Sequence, residues 1–129
     1  KKTLLAQKSI VYGDPKLGDS SGVATEAILA RLGIAAEMKS KAKLVAAGAK
    51  GETVAKGDAD LGFDQMSNIV INPKIESLGS LPSELHNYTN YAGGLVTAGK
   101  ERAGSKAFVN FLTSAPAQAV MKSKGFEGL

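Results

Sequence analysis

The sequence predicts an α/β fold in which a mostly parallel sheet is flanked by helices. Short apolar, β-branched runs alternate with helical patterns through the first half of the chain, and loops of small residues separate each run from the next helix. Strands that alternate with helices in this way favour parallel pairing, because a helix is the usual crossover between parallel strands.

The first strand–loop–helix unit lies near the N-terminus. Residues 9–12 (SIVY) predict a strand that ends in the turn Gly13-Asp14-Pro15. A loop of small residues follows at 18–22, and apolar residues then recur at helical spacing over residues 23–32. Gly33 stands where a left-handed helix C-cap belongs, so this helix is expected to end there.

The pattern repeats in the next part of the chain. Residues 43–46 predict a second strand, residues 48–51 a second small-residue loop, and residues 52–56 a short helix that ends at Gly57. The elements predicted further along are a strand over residues 61–63, a helical turn over 66–70 and a strand over 75–78.

The C-terminal part has a different pattern. Residues 86–98 contain alternating aromatic residues, two glycines and an apolar run, which predict an extended crossover strand. Ser114 and Pro116 are typical of the N-cap and first turn of a last helix over residues 117–124. Before them, helical spacing of apolar residues predicts an amphipathic helix that carries Ala107, Phe108, Phe111 and Leu112.

Composition excludes several classes of protein. The chain has 129 residues, with 43% hydrophobic but only 5% aromatic residues, which predicts one modest domain with an aliphatic core. No apolar run of about 20 residues is present, so any membrane contact is expected to be peripheral. Without cysteine, disulfides and thiolate metal sites are excluded. The net charge of +4 comes from dispersed lysines, and we expect no nucleic-acid binding.

Catalytic and metal chemistry have little support. His86 is the only histidine, so a Ser–His–Asp triad would need it, and a lone histidine in a loop is usually a surface residue. Asp58, Asp60 and Asp64 lack the glycine and the terminal glutamate of a calcium-binding loop. We therefore expect no enzymatic activity, no catalytic residue, no metal site and no cofactor.

Binding has better support, at the two loops that precede helices. The first loop contributes Ser20, Ser21 and Gly22, and the second contributes Ala49 and Lys50. The first N–H groups of a helix lack intrahelical acceptors, and the helix dipole adds partial positive charge, so an oxyanion can bind there. In an open α/β sheet, such loops gather at the carboxyl ends of the strands, where ligands bind. The alternative, which the residues alone favour, is that Ser20 or Ser21 only caps its helix.

Four stretches in a fixed order carry a resemblance to a known family: SIVYGDPKLGDSSGVATEAILARLGI, KLVAAGAKGETVAKGDADLGF, LPSELHNYTNYAGGLVTAG and KAFVNFLTSAPAQAVMKSKGFE. The chain resembles the molybdate-binding proteins of ABC importers, which have the type II periplasmic binding protein fold. The resemblance covers nearly the whole chain. It implies a periplasmic or secreted solute-binding component that passes a small oxyanion, such as molybdate or tungstate, to an ABC permease.

The resemblance also implies the residues of the site. Ser21 matches a backbone donor of the second lobe, and either Ala49 or Lys50 matches the start of the second helix. Gln65 falls where some members of the family have a tyrosine hydroxyl, and its side-chain amide can still donate a hydrogen bond.

In that family, residues 1–85 would correspond to the second lobe, residues 86–98 to the crossover strand, and residues 99–129 to C-terminal helices of the first lobe. Most of the first lobe would be absent, whether by cleavage or because it was never encoded, so we expect this chain to bind an oxyanion weakly or not at all.

Val96 and the C-terminal apolar face (Phe108, Phe111 and Leu112) would then need a cover. The candidates are a second copy of the chain, a noncovalently retained N-terminal fragment and the refolded tail, and a homodimer is the first of them. A second hypothesis is a stand-alone secreted interaction, inhibitor or defence protein that uses this face as its partner surface.

Overall fold

The computed structural model describes residues 1–99 and 102–127, and the chain divides into two compact units, Lys1–Asn87 and Tyr88–Leu129. Residues 100, 101, 128 and 129, which belong to the predicted C-terminal region, lie outside the described residues. The elements of the first unit are α1 (Lys2–Ala6), β1 (Ile10–Gly13), α2 (Ser20–Arg31), α3 (Ala35–Lys41), β2 (Ala42–Val45), α4 (Lys50–Ala55), β3 (Leu61–Gly62) and α5 (Met66–Ile69), with 3₁₀ turns at Pro15–Leu17 and Ser83–Leu85. Those of the second are α6 (Arg102–Leu112) and α7 (Ala115–Ser123).

The sheet of the first unit is parallel, with the strand order β2-β1-β3. Ile10 of the central strand lies opposite Ala42 of β2 and opposite Leu61 of β3. The predicted fold class, a parallel sheet flanked by helices, is confirmed. Since β2 and β3 lie on opposite sides of β1, the order of the strands reverses at β1, and open sheets of this kind bind ligands at the carboxyl ends of the strands beside such a reversal.

The core of this unit lies between β1 and the helices α2 and α3. Ile10 and Met38 are fully buried, and Tyr12, Leu29 and Ile34 pack around them. All four residues of β1 are buried, which explains its continuous apolar sequence, since a strand covered on both faces does not alternate.

The predicted end of α2 is confirmed. Gly33 adopts a left-handed conformation with φ of 64°. Its N–H donates to the carbonyl of Ala30, and the N–H of Ile34 donates to the carbonyl of Leu29 at 3.0 Å. These bonds satisfy carbonyls that the end of the helix leaves open, and they turn the chain back toward the core.

Two predicted strands are wrong. Residues 75–78 form no strand, because a turn precedes them: the Asn72 side chain accepts the N–H of Lys74 at 3.0 Å, and its carbonyl accepts that of Ile75. Residues 86–98, the predicted crossover strand, also form none. A strand needs a neighbour for its backbone hydrogen bonds, and the regular elements described in the second unit are both helices.

The second unit contains the two predicted C-terminal helices. Ser114 caps α7 by accepting the N–H of Ala117 at 3.5 Å, and Pro116 lies in its first turn. On α6, the side chains of Phe108 and Phe111 are largely exposed. The aromatic rings of Tyr91 and Phe126 pack edge to face, with centroids 5.8 Å apart.

Candidate functional site

The candidate site lies in the first unit, on the side of the sheet where the carboxyl ends of its parallel strands meet. We call this side the carboxyl edge and the opposite side the amino edge. The loop after β1 leads into α2, the loop after β2 leads into α4, and the loop after β3 leads into α5. In a parallel sheet these loops share one edge. Residues from all three meet around the side chain of Lys50, the first residue of α4.

The N-cap of α2 is Asp19. One carboxylate oxygen, Oδ1, accepts the backbone N–H of Gly22 at 3.0 Å and the hydroxyl of Ser21. The prediction that Ser20 or Ser21 caps the helix is therefore wrong, because both serines lie inside the first helical turn. Aspartate is one of the preferred N-cap residues, since its carboxylate satisfies N–H groups that the helix leaves open.

Two glycines allow α2 to begin close to the end of β1. A Cβ atom at Gly22 would overlap the carbonyl oxygen of Gly13, and a Cβ atom at Gly13 would overlap the carboxylate of Asp19. Only the absence of side chains lets the helix start against the strand at this point. This packing fixes where the first turn of α2, with Ser20 and Ser21, stands relative to the sheet.

Lys50 connects the loops after β1 and β3. Its ammonium nitrogen Nζ lies 2.9 Å from Asp19 Oδ2, 3.0 Å from Asp64 Oδ1 and 2.8 Å from the hydroxyl oxygen of Ser21. The three charged side chains are almost completely buried, with exposures of 4% for Lys50, 7% for Asp19 and 10% for Asp64. We call Asp19, Ser21, Lys50 and Asp64 the buried network.

The buried network carries one positive and two negative charges. Burial by itself raises the pKa of Asp19, but hydrogen bonds from Ser21, Lys50 and Gly22 outweigh burial and lower its pKa from 3.8 to about 2. The carboxylate of Asp19 is therefore ionised at neutral pH, as its ion pair with Lys50 requires.

The third loop is fixed by Asp64. Its Oδ1 accepts the backbone N–H of Gln65 at 2.8 Å and the side-chain amide of Asn68 at 2.9 Å, in addition to the ion pair with Lys50. Gln65, which directly precedes α5, is thereby held next to the buried network. The side chain of Asn68 belongs to α5 and ties that helix to the same carboxylate.

The remaining predicted site residues have distinct surroundings. Ser20 is exposed at the start of α2. The N–H of Ala49 donates to the carbonyl of Ala46 at 3.2 Å, and its carbonyl accepts the N–H and hydroxyl of Thr53. Ser21 and Lys50 are in direct contact, and Gln65 is the neighbour of their partner Asp64. The sequence reasoning missed Asp19 as the cap, although its residue type indicated one, and it gave no role in binding to Asp64.

The one histidine of the sequence, His86, lies beside α2. It lines a shallow groove of about 230 Å³ beside the helix. Ser20 at the start of that helix and Arg31 at its end line the same groove. Arg31 donates from Nη2 to the carbonyl of Glu84 at 2.6 Å, which ties the 3₁₀ turn before His86 to the end of α2. Within residues 1–99 and 102–127, no three His, Cys, Asp or Glu side chains are grouped closely enough to hold a metal ion.

Comparison with known proteins decides the family. Residues 1–127 match the model of a family described as bacterial extracellular solute-binding protein. The chain belongs to this family. No helix in the part of this solute-binding protein that the structure describes is both long and apolar enough to cross a membrane. The match does not favour the hypothesis of a stand-alone inhibitor or defence protein.

Two relatives are longer than this solute-binding chain. It is 30% identical over 128 residues to aconitate isomerase of a Pseudomonas species, covering 98% of this chain and 47% of that protein. It is 30% identical over 124 residues to the molybdate-binding protein ModA of Azotobacter vinelandii, covering 94% of this chain and 49% of that protein. The chain spans about half the length of both relatives.

A solved structure has the same fold. It is the substrate-binding domain assigned to a molybdenum ABC transporter of Clostridium difficile, and the superposition has a TM-score of 0.80 at 24% sequence identity. The match covers 99% of this solute-binding chain and 57% of the other.

Proposed function

We propose that the chain acts in the periplasm as a solute-binding component of an ABC importer, and that its solute is a small oxyanion, with molybdate as the first candidate. Membership of an extracellular solute-binding family supports the class of function and the location. The similarity to a molybdate-binding protein supports the choice of solute. An ABC permease is the partner that this function requires.

The observation that carries the proposal is the contact between Lys50 and Ser21 at 2.8 Å. It brings the start of α4 and the start of α2 together at the carboxyl edge of the sheet, beside the reversal of strand order. Open α/β sheets bind their ligands at such an edge. The start of α2 also offers N–H groups and the positive end of a helix of 12 residues.

We propose Ser20, Ser21, Gly22, Ala49, Lys50 and Gln65 as the residues around the solute. Among them, the N–H groups of Ser20 and Ser21 have no intrahelical acceptor, as in the first turn of any helix. The N–H of Gly22 already donates to Asp19, and that of Ala49 donates to Ala46, so these two residues contribute shape. The direct donors we expect are the two serine amides and the side-chain amide of Gln65.

The test is an NMR titration of the ¹⁵N-labelled chain with molybdate, tungstate and sulfate, because residue-resolved shifts report weak as well as tight binding. We expect saturable shifts at the amides of Ser20, Ser21 and Gln65 with molybdate or tungstate. Of the two expectations stated from the sequence, weak binding and no binding, the proposal commits to weak binding. Shifts that scatter over exposed lysines equally with all three anions, or no saturable shift with any anion, would therefore contradict it.

A matched pair of variants at Ser20 isolates the backbone donor. Ser20→Pro removes the N–H at the first helical position, where proline is tolerated, and Asp19 before it already has an extended backbone. Ser20→Ala removes only the hydroxyl. We expect Ser20→Pro to weaken oxyanion binding about tenfold or more, since hydrogen bonds to charged groups are the stronger ones, and Ser20→Ala to change it little.

The similarity to aconitate isomerase over 98% of the chain favours a second candidate, an isomerase of a carboxylate such as aconitate. Moving a proton requires a base that the substrate can reach. Lys50 and its two aspartates are buried in ion pairs with one another, which favours binding over proton transfer. We therefore expect no conversion of cis-aconitate to trans-aconitate when the chain and substrate are followed by ¹H NMR. Conversion above the rate of a Lys50→Met control would establish the second candidate instead.

For the second unit, we propose that a second copy of the chain covers the C-terminal apolar face and forms a homodimer. Phe108 and Phe111 are 61% and 52% exposed, and large exposed apolar patches mark interaction surfaces. Sedimentation equilibrium is expected to give a dimer that Phe108→Ser converts to a monomer. A parent chain that is monomeric at all concentrations would contradict this. The assignment of residues 1–85, 86–98 and 99–129 to the second lobe, the crossover and the first lobe stays a prediction.

A further inference from the structure

We propose that Lys50 is a positioning residue of the oxyanion site: it holds the loops after β1 and β3 together, and its ammonium group does not contact the solute. This inference rests on the proposed function and deepens it, because it assigns a role to the only buried cation described at the edge where the solute would bind.

The ammonium group of Lys50 is enclosed by its partners. An ammonium group has three N–H donors and no acceptor. That of Lys50 donates hydrogen bonds to Asp19 at 2.9 Å and to Ser21 at 2.8 Å, and it forms an ion pair with Asp64 at 3.0 Å. With these three partners and an exposure of 4%, the ammonium group is closed to an oxyanion, and the two carboxylates exceed its single positive charge. The solute is therefore bound by uncharged donors while Lys50 stays within the buried network.

The partners of Lys50 fix the residues that we expect to touch the solute. Asp19 also accepts the N–H of Gly22 and so anchors the first turn of α2, which contains Ser21. Asp64 also accepts the N–H of Gln65 and so anchors the third loop. Lys50 is the link between these two anchors, and through it the serine amides and Gln65 keep a fixed separation.

Removing Lys50 would leave two buried carboxylates without their counter-ion. The two carboxylates would then repel each other, and nothing would compensate for their lost hydration. Both effects favour movement of the two loops away from each other or toward water. A donor set that is displaced by about 1 Å binds its ligand far less well, with losses on the order of a hundredfold in comparable cases.

Three variants separate positioning from other roles. Lys50→Met keeps the aliphatic stem and removes the charge and all three donors. Lys50→Met combined with Asp64→Asn also removes the repulsion, and it serves if the single variant does not fold. Lys56→Met is the matched control, because Lys56 also belongs to an ion pair beside α4 but is 63% exposed.

Two measurements are made on each variant. Amide hydrogen exchange without any anion compares residues 14–22 and 63–68 with the core amides of Val11 and Tyr12. An NMR titration with molybdate at two salt concentrations gives the affinity and its salt dependence. For Lys50→Met we expect exchange about tenfold faster in the two loops, faster exchange in the core only to the extent that global unfolding becomes easier, affinity about tenfold to a hundredfold weaker, and an unchanged salt dependence. For Lys56→Met we expect the values of the parent chain.

Two results would overturn the inference. The first is unchanged exchange in both loops of Lys50→Met and the double variant. The second is a loss of the salt dependence of molybdate affinity, which would mean that the ammonium group contacts the anion directly. If the parent chain binds no anion at all, the proposed function fails, and the exchange measurement still decides whether Lys50 holds the loops.

Discussion

Aspartate side chains connect loops at both the amino and the carboxyl edge of the sheet, but they are exposed at one edge and buried at the other. At the amino edge, exposed Asp60 just before β3 accepts the N–H of Lys8 at 3.0 Å and both the N–H and hydroxyl of Ser9 at 2.9 and 3.2 Å. At the carboxyl edge, Asp19 and Asp64 are buried and share the ammonium group of Lys50. Both arrangements tie the loop beside β1 to the loop beside β3.

The difference lies in what each carboxylate needs. An exposed carboxylate keeps its hydration, so neutral N–H and O–H donors are enough to hold it. A buried carboxylate loses its hydration and requires a counter-ion and further hydrogen bonds. At the carboxyl edge, where we propose that a solute binds, the carboxylates are desolvated and need Lys50 as a counter-ion. At the amino edge, a similar connection between loops forms at the surface without that desolvation.

The largest effect that we expect comes from breaking the buried network. Lys50→Met leaves two buried carboxylates unpaired and should lower the free energy of unfolding by about 3–5 kcal/mol. Urea unfolding followed by circular dichroism measures this, with Lys56→Met as the control, which should change stability by about 0.5 kcal/mol or less. Equal, small losses in both variants would mean that burial does not distinguish the network from a surface ion pair.

Much of the fold follows from local patterns, whereas the buried network does not. The strand β1 was predictable because a strand buried on both faces is continuously apolar, and α2 because its buried residues recur at helical spacing. Helix α3 was missed because Met38 is its one buried residue, so it shows no periodic stripe.

The network depends on tertiary structure. Lys50 lies 31 residues from Asp19 in sequence, and the two meet because β2 pairs in parallel with β1. Asp64 joins them because β3 pairs with the other side of β1. The local pattern of a single sequence does not specify that order of strands. The sequence did place Ser21 and Lys50 at the starts of two helices, and the structure brings these two residues into contact. It left Asp64 without a binding role, because nothing local distinguishes this residue from the exposed Asp60.

The second prediction tests the close packing that positions the network. Gly22→Ala places a Cβ atom against the carbonyl oxygen of Gly13, and backbone at the end of a central strand cannot move aside easily. We expect a loss of about 3 kcal/mol, at the upper end of the range for overpacking. Gly104→Ala is the matched control, since a Cβ atom there meets no atom within 4 Å and the residue is also helical. Equal stability of the two variants would contradict the close approach of α2 and β1.

The third prediction concerns pH. The folded state holds the pKa of Asp19 at about 2, below its ordinary value of 3.8, so this carboxylate contributes stability that is fully present above about pH 4. That contribution, about 2 kcal/mol, is lost as the pH falls from 4 to 2, because the unfolded chain binds the proton first. Urea unfolding between pH 6 and pH 2 should show a shallower decline for Asp19→Asn, which keeps a capping side chain but cannot titrate. An identical pH profile in both chains would mean that Asp19 is not ionised against Lys50.

The smallest effect should come from the amino edge. Asp60→Ala removes an acceptor of three hydrogen bonds, but Lys8 and Ser9 can then donate to water because the site is exposed. Hydrogen bonds from Ser9, above all from its backbone N–H, lower the pKa of Asp60, so its contribution to stability also disappears as the solution becomes acidic. We expect a small decrease in the midpoint of thermal unfolding at pH 7, and Asp60→Asn should recover part of it because one acceptor oxygen remains. A decrease as large as that of Lys50→Met would show that hydration does not compensate at the surface, and the contrast between the two edges would then not arise from burial.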